Sequence, residues 1–205
     1  MEVKGIRVGP IQTNCYMAYD DTACVIFDPG YSADAIVDML EGRKLDLIIL
    51  THGHMDHIGG LPDLVARTGA PIAACKYELE RIKHPEKGLY DEAYVGYEPV
   101  KKVDKLLDDG DVFEVGDMSF RAMHTPGHTE GSMCYHCEDS KVLFSGDTLF
   151  RGSCGRTDFT GGDPEAMRRS LARLVGELPD DTAVLPGHEG LTTIGNERRW
   201  IERYA

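Results

Sequence analysis

Short apolar runs recur along the chain, and most of them predict strands. Val3–Val8, Cys15–Tyr19, Cys24–Asp28, Leu47–Leu50, Pro71–Ala74, Met118–His124, Ser132–His136, Val142–Ser145 and Thr182–Leu185 are rich in β-branched or aromatic residues and are bounded by Gly, Pro, Asp or Asn. Helical periodicity fills several of the gaps. Ser32 is placed to cap a helix that sets Ile36, Val37 and Leu40 on one face. Asp163 and Pro164 supply a cap followed by proline at the first helical position, and Met167, Leu171, Leu174 and Val175 form the apolar stripe behind them. Asn196–Tyr204 reads as a last helix with Trp200 and Ile201 turned inward. Strands early and late, with helices between them, predict sheets covered by helices: an α+β or layered α/β domain. The stretch from His84 to Asp111 is the least regular. It holds Tyr90, Tyr94 and Tyr97 among glycines and Pro99, and it suits a lid or substrate wall as well as a plain surface insertion.

Length and charge narrow the classes of function. The 205 residues suit one domain spanning positions 1–205. The net charge of −13 sets the chain against phosphate backbones, because no dense Lys/Arg block offsets it. Arg168-Arg169 and Arg198-Arg199 fit exposed helix faces. Nucleic acid is therefore not an expected partner, and neither is a membrane, since no apolar run approaches a spanning length. Met1–Pro10 lacks the pattern of a secretory signal, so a cytoplasmic location is expected. The six cysteines are scattered and read as free thiols. Cys134-x-x-Cys137 falls in an alternating segment with no second pair to complete a zinc site, so both read as ordinary strand residues.

The strongest chemical signal is Thr51-His52-Gly53-His54-Met55-Asp56-His57, directly after the apolar run Leu47–Leu50. Three histidines and an aspartate gathered in a turn at the end of a buried strand are hard to explain by packing. Neutral imidazole and carboxylate suit zinc, iron or manganese, and the spacing allows two ions. The same context recurs downstream. His128 follows a Pro-Gly turn, Asp147 follows Phe144-Ser-Gly, and His188 follows Leu185-Pro-Gly. Each time a strand runs into a small-residue turn and then a potential ligand. His84 and His136 match no such context and read as structural or exposed. His124 reads as structural, or as a group that orients a ligand.

In order and type, His52-x-His54-x-Asp56-His57 with His128, Asp147 and His188 resembles the signature of the metallo-β-lactamase superfamily. The likeness runs from Asn14 to about Glu197. It implies a four-layer αβ/βα sandwich with metals at the sheet edge. It also implies that His52, His54 and His128 hold a first ion, that Asp56, His57 and His188 hold a second, and that Asp147 bridges them. The implied cofactor is two divalent ions, zinc before iron or manganese. Two such ions would acidify a bridging water to hydroxide near neutral pH and polarise a substrate carbonyl, with Asp56 able to accept the proton.

Within that family, Asp147 stands where the best-known antibiotic-hydrolysing class carries Cys, which argues against a lactamase. The acidic charge argues against RNA processing, and His54 argues against the diiron oxygen-reducing branch. Thr13-Asn14-Cys15-Tyr16, Asp28-Pro29-Gly30, Asp147-Thr-Leu-Phe150-Arg151-Gly and Gly155-Arg-Thr-Asp158-Phe are similar to the single-domain, glyoxalase II-like hydrolases. The expected reaction is hydrolysis of a small-molecule acyl-thioester such as hydroxyacylglutathione. The longer members grip glutathione with an added helical domain, and ending at Ala205 predicts a weaker glutathione preference. A mononuclear iron persulfide dioxygenase is the alternative, because that relative keeps the same motif residues. A non-enzymatic binding role fits poorly with seven filled ligand positions. Arg156 is the candidate to meet a substrate carboxylate, against the plainer reading of an ion pair with Asp158. Cys154 is not needed as a nucleophile where metals act.

Overall fold

The computed structural model describes residues 1–84 and 97–204. Two mixed sheets dominate it. The first has β1 (Glu2–Val8), β2 (Thr13–Tyr19), β3 (Cys24–Phe27), β4 (Leu47–Leu50), β5 (Ile72–Cys75) and β6 (Lys105–Leu107), in that spatial order. The second has β7 (Val112–Val115), β8 (Met118–His124), β9 (Met133–Cys137), β10 (Val142–Gly146), β11 (Ala183–Pro186) and β12 (Thr192–Thr193), also laid side by side in sequence order. The first sheet begins antiparallel and becomes parallel from β3 to β6. In the second, only β10 and β11 are parallel.

Strand alternation sorts the apolar residues into layers. Tyr16, Val25, Phe27 and Ile49 face the second sheet and meet Phe113, Phe120, Tyr135 and Phe144 in a core between the sheets. Phe27 stacks on Phe144 with ring centroids 3.8 Å apart. Met17, Ile26, Ile48 and Leu50 point the other way, onto α1 (Ala33–Leu40) and α3 (Leu61–Thr68). Met123, Leu143 and Val184 do the same on the far side, against α5 (Pro164–Glu177) and α6 (Ile194–Tyr204). The result is helices, sheet, sheet, helices, which is the layered α+β sandwich expected. It also explains why Leu47–Leu50 is apolar without a break: both of its faces are covered.

Asp163 caps α5 as expected, accepting from the N–H groups of Glu165 and Ala166 at 2.8 and 3.0 Å. Ser32 does not cap α1. It sits at φ 62°, ψ 56° with no side-chain hydrogen bond to the helix, because the chain must turn sharply there out of Pro29-Gly30. The last helix begins at Ile194 rather than Asn196, and Trp200 is only half-buried. The irregular stretch carries the edge strand β6, which pairs with β5 through main-chain bonds that side-chain pattern does not announce. The helices α2 (Met55–Ile58), α3 and α4 (Leu79–Lys83) and the strand β7 were likewise not predicted. Tyr90 and Tyr94 lie outside the described residues. Tyr97 packs against the first core, and its hydroxyl donates to the Ile58 carbonyl at 3.3 Å. No helix among the described residues is long and apolar enough to cross a membrane.

Candidate metal centre

Parallel pairing brings the site together. Because β3 and β4 run the same way, their C-terminal ends open on one edge, so Asp28 meets Thr51 and the His52–His57 turn. Because β10 and β11 run the same way, Asp147 and His188 emerge side by side. The turn between β8 and β9 adds His128. Two backbone bonds join the halves at this edge: Asn14 N–H to the Gly187 carbonyl at 2.7 Å, and Met133 N–H to the Thr51 carbonyl at 2.9 Å. Asn14 and Tyr16 both donate side-chain hydrogen bonds to the Pro186 carbonyl, each at 2.9 Å, which pins the turn that carries His188.

All seven predicted residues converge. His54 Nδ1 lies 3.0 Å from His52 Nε2 and 2.8 Å from His128 Nε2. On the other side, Asp56 Oδ2 lies 3.1 Å from His188 Nε2 and 3.2 Å from His57 Nε2. Asp147 sits between these groups, with Oδ1 3.3 Å from His57 Nε2 and Oδ2 3.5 Å from His128 Nε2 and 3.6 Å from His188 Nε2. The His52, His54 and His128 nitrogens form one compact trio, and Asp56, His57 and His188 atoms form another, each within 4.8 Å.

Hydrogen bonds behind the cluster set which nitrogen faces it. The Thr51 hydroxyl donates to Asp28 Oδ2 at 2.7 Å, so at 3.1 Å it can only accept from His52 Nδ1–H. His128 Nδ1–H donates to the Arg156 carbonyl at 2.7 Å, and His57 Nδ1–H donates to Asp28 Oδ2 at 2.9 Å. In the neutral form of each of these rings Nε2 carries the lone pair and faces the cluster. Asp28 and Thr13, whose hydroxyl donates to Asp56 Oδ2 at 2.8 Å, were given no role from the sequence. Asp28 stands inside the Asp-Pro-Gly motif, but only the fold shows that it bonds His57, 29 residues away.

Electrostatics divide the cluster in two. Burial, and then the neighbouring His57, His54 and His128 charges, push the His52 imidazole well below its usual range. Burial, then His128, brings His54 down to about 3. Both are therefore neutral donors. Burial would lower His57 too, but the Asp56, Asp147 and Asp28 carboxylates outweigh it and raise its pKa. Burial would raise Asp56 and Asp147, yet His57 holds both below the ordinary carboxylate range. In the protein alone a proton on His57 balances the carboxylates. A divalent cation would supply that charge instead and displace the proton.

The donor set fits metal. His57 Nε2 and Asp147 Oδ1, both facing the cluster, are buried without a hydrogen-bond partner. Such groups are costly to leave unmatched unless something else binds them. Space is kept as well: a Cβ on Gly187 would lie 2.3 Å from Asp147 Oδ1 and 2.6 Å from His57 Cε1.

The cluster floors a cavity of about 680 Å³ walled by Ile11, Tyr31, Met55, Phe150 and Phe159. Arg156 reaches its rim, where it pairs with Asp158 at 2.6 and 2.7 Å and lies over the Phe159 ring at 3.8 Å. The ion-pair expectation is thus met, and the same guanidinium still borders the cavity. Cys154 lines the cavity half-buried. His84 and His136 stand apart from the cluster. His124 touches no ligand ring, but its Nε2–H donates to the Glu130 carbonyl, in the turn that carries His128, at 2.8 Å.

The hydroxyacylglutathione hydrolase GloC of Haemophilus influenzae is 34% identical over 208 residues, covering 97% of this chain and 96% of that one. A solved B3 metallo-beta-lactamase, BLEG-1, superposes with a TM-score of 0.86 at 38% identity and covers 97% of both chains. TTHA1623, solved in a di-iron-bound form, superposes with a TM-score of 0.84 at 32% identity, covering 96% of this chain and 97% of that one. The family description "Metallo-beta-lactamase superfamily" matches residues 8–188. The chain therefore belongs to the metallo-beta-lactamase superfamily.

Proposed function

We propose that this chain is a binuclear metal-dependent hydrolase of acyl-thioesters, acting on hydroxyacylglutathione or a related acyl-thiol. In this reading His52, His54 and His128 would hold one divalent ion, Asp56, His57 and His188 would hold the other, and Asp147 would serve both. The observation that carries it is the pair of ligand trios with Asp147 between them. Bound there, two divalent ions would acidify a water and polarise a carbonyl. Zinc, iron and manganese all suit these donors, and a di-iron neighbour keeps iron among them.

The chain's own residues do the rest. Asp28, the Arg156 carbonyl and Thr51 hold three imidazoles with Nε2 turned inward. Thr13 fixes the rotation of Asp56, which can accept a proton released beside it. Phe150 packs edge-on against His188 and Phe159 against His54, each with centroids 5.9 Å apart, which keeps water off the ligands' outer sides. The apolar cavity wall suits the acyl portion of a thioester. The similarity to GloC supports a thioester substrate. BLEG-1 supports a second reading, β-lactam opening, because it is more alike in sequence and is named a lactamase. Asp147 speaks only against the lactamase class that carries Cys there.

The test is reconstitution with zinc, iron or manganese, metal analysis, and turnover of acyl-thioesters, β-lactams and persulfides. Two ions per chain with thioester hydrolysis is expected. Turnover confined to β-lactams, or one iron with oxygen consumption on a persulfide, would overturn the proposal.

A further inference from the structure

Glu78 is buried, with 1% of its surface exposed, yet it lies outside the ligand set. It ends the short 3₁₀ turn Lys76–Glu78 that follows β5. Its two oxygens go to two different turns. Oε2 accepts the Gly53 N–H at 2.9 Å, and Oε1 accepts the Gly131 N–H at 3.0 Å. Gly53 stands between His52 and His54, and Gly131 stands three residues after His128. The Arg81 guanidinium, 3.3 Å from Oε2, balances the charge and donates onward to the Thr160 carbonyl beside Phe159 at 3.1 Å. Approach is close on both sides. A Cβ on Gly131 would lie 2.7 Å from Glu78 Cγ, and one on Gly53 would lie 3.1 Å from Oε2.

A buried carboxylate is an expensive way to fill space, and an apolar side chain would do so better. What it offers is two strong acceptors at a fixed separation, each bonded to a backbone N–H. From this we propose that Glu78 is a positioning residue: it ties the His52–His54 turn of the first sheet to the His128 turn of the second, and so sets the spacing of the three imidazoles for one metal ion. The inference rests on the binuclear reading above. It differs from a role in general stability because its two backbone bonds go to Gly53 and Gly131, beside His52, His54 and His128, and among the described residues it has no hydrogen bond to Asp56, His57 or His188. Its loss should loosen one ion and spare the other.

The experiment is chelator competition and metal counting on reconstituted Glu78→Gln beside the wild type. An amide keeps one acceptor but turns an NH₂ toward the second N–H, so one turn is released. One ion is expected to bind about 10–100-fold more weakly, the scale seen for groups that orient ligands, while the other holds its wild-type affinity. In cobalt-loaded protein the spectrum of the weakened site should change alone. Should Glu78→Gln fail to fold, Glu78→Asp serves. It keeps the charge but is one methylene too short to reach both turns, and the same one-sided loss is expected. Equal weakening of both ions, or none, with a wild type that binds two, would overturn this assignment alone. A wild type that takes up no metal would overturn the functional reading and this assignment with it.

Discussion

The two sheets contribute to the site in different ways. The first delivers His52, His54, Asp56 and His57 from one turn and one short helix after β4. The second delivers His128, Asp147 and His188 from three separate turns. The first set is ordered locally: the β4 end, the α2 backbone and the Asp28 carboxylate hold it before the other sheet is considered. The second set has its spacing only once β8 to β11 are paired and docked. Catalytic geometry therefore depends on sheet-to-sheet docking, and the clamps across that seam should matter as much as the ligands' immediate neighbours.

The largest effect should come from removing the group shared by both halves. Asp147→Ala should lower kcat/KM by roughly three orders of magnitude or more, since a site losing it loses its hold on both ions. His136→Ala, in the same sheet but away from the cluster, should leave kcat/KM near wild type when normalised to folded protein. Similar activities in the two variants would remove Asp147 from the ligand set.

Asp28→Asn should come next. It places an amide where His57 Nδ1–H and the Thr51 hydroxyl both need an acceptor, and so disturbs the lone pair that His57 presents. Metal affinity should fall about 10–100-fold, mainly at the ion beside His57. Isothermal titration on the reconstituted variant would show it, and unchanged affinity would mean that the first half holds its ligands without Asp28.

A smaller effect is expected at the seam. Tyr16→Phe removes one of two hydroxyl or amide donors to the Pro186 carbonyl and leaves Asn14 in place. Stability should drop by about 1 kcal/mol, read by denaturant titration, with a modest loss in kcat from the freer His188 turn. A larger kcat loss than Asp28→Asn produces would mean that docking outweighs local order.

The smallest effect lies outside the cluster, at the turn between β2 and β3. Asp20 accepts from the Thr22 and Ala23 N–H groups at 2.7 and 2.8 Å, and from Asp117 N–H at 3.0 Å, joining a hairpin of the first sheet to one of the second. Burial would raise its pKa, but these bonds and the Thr22 hydroxyl lower it from its ordinary 3.8 to about 2. A carboxylate depressed on folding contributes stability above its unfolded pKa and loses it as pH falls through the folded one. Stability should therefore decline between about pH 4 and pH 2, and Asp20→Asn should remove that part of the decline. Melting temperatures of the two proteins across this window would check it. Parallel curves would assign the acid loss to other carboxylates.

Much of this architecture was legible in the chain. Leu47–Leu50 announced a buried strand, the turns after it and after β10 and β11 announced the residues that converge in the cluster, and Asp163-Pro164 announced α5. These signals survive because they are local: alternation, periodicity and capping act over a few residues. The failures share one cause. Ser32 looked like a cap, but backbone geometry imposed from Pro29-Gly30 held it at positive φ. The edge strand β6 forms through main-chain pairing with β5, which side-chain pattern does not record. Asp28, Thr13 and Glu78 carry no motif of their own for the work they do. Their partners lie 29, 43, and 25 and 53 residues away. Sequence alone determined which residues could bind metal. The tertiary structure decided how far apart they stand and which nitrogen each presents, because those depend on parallel pairing and on hydrogen bonds made across the fold.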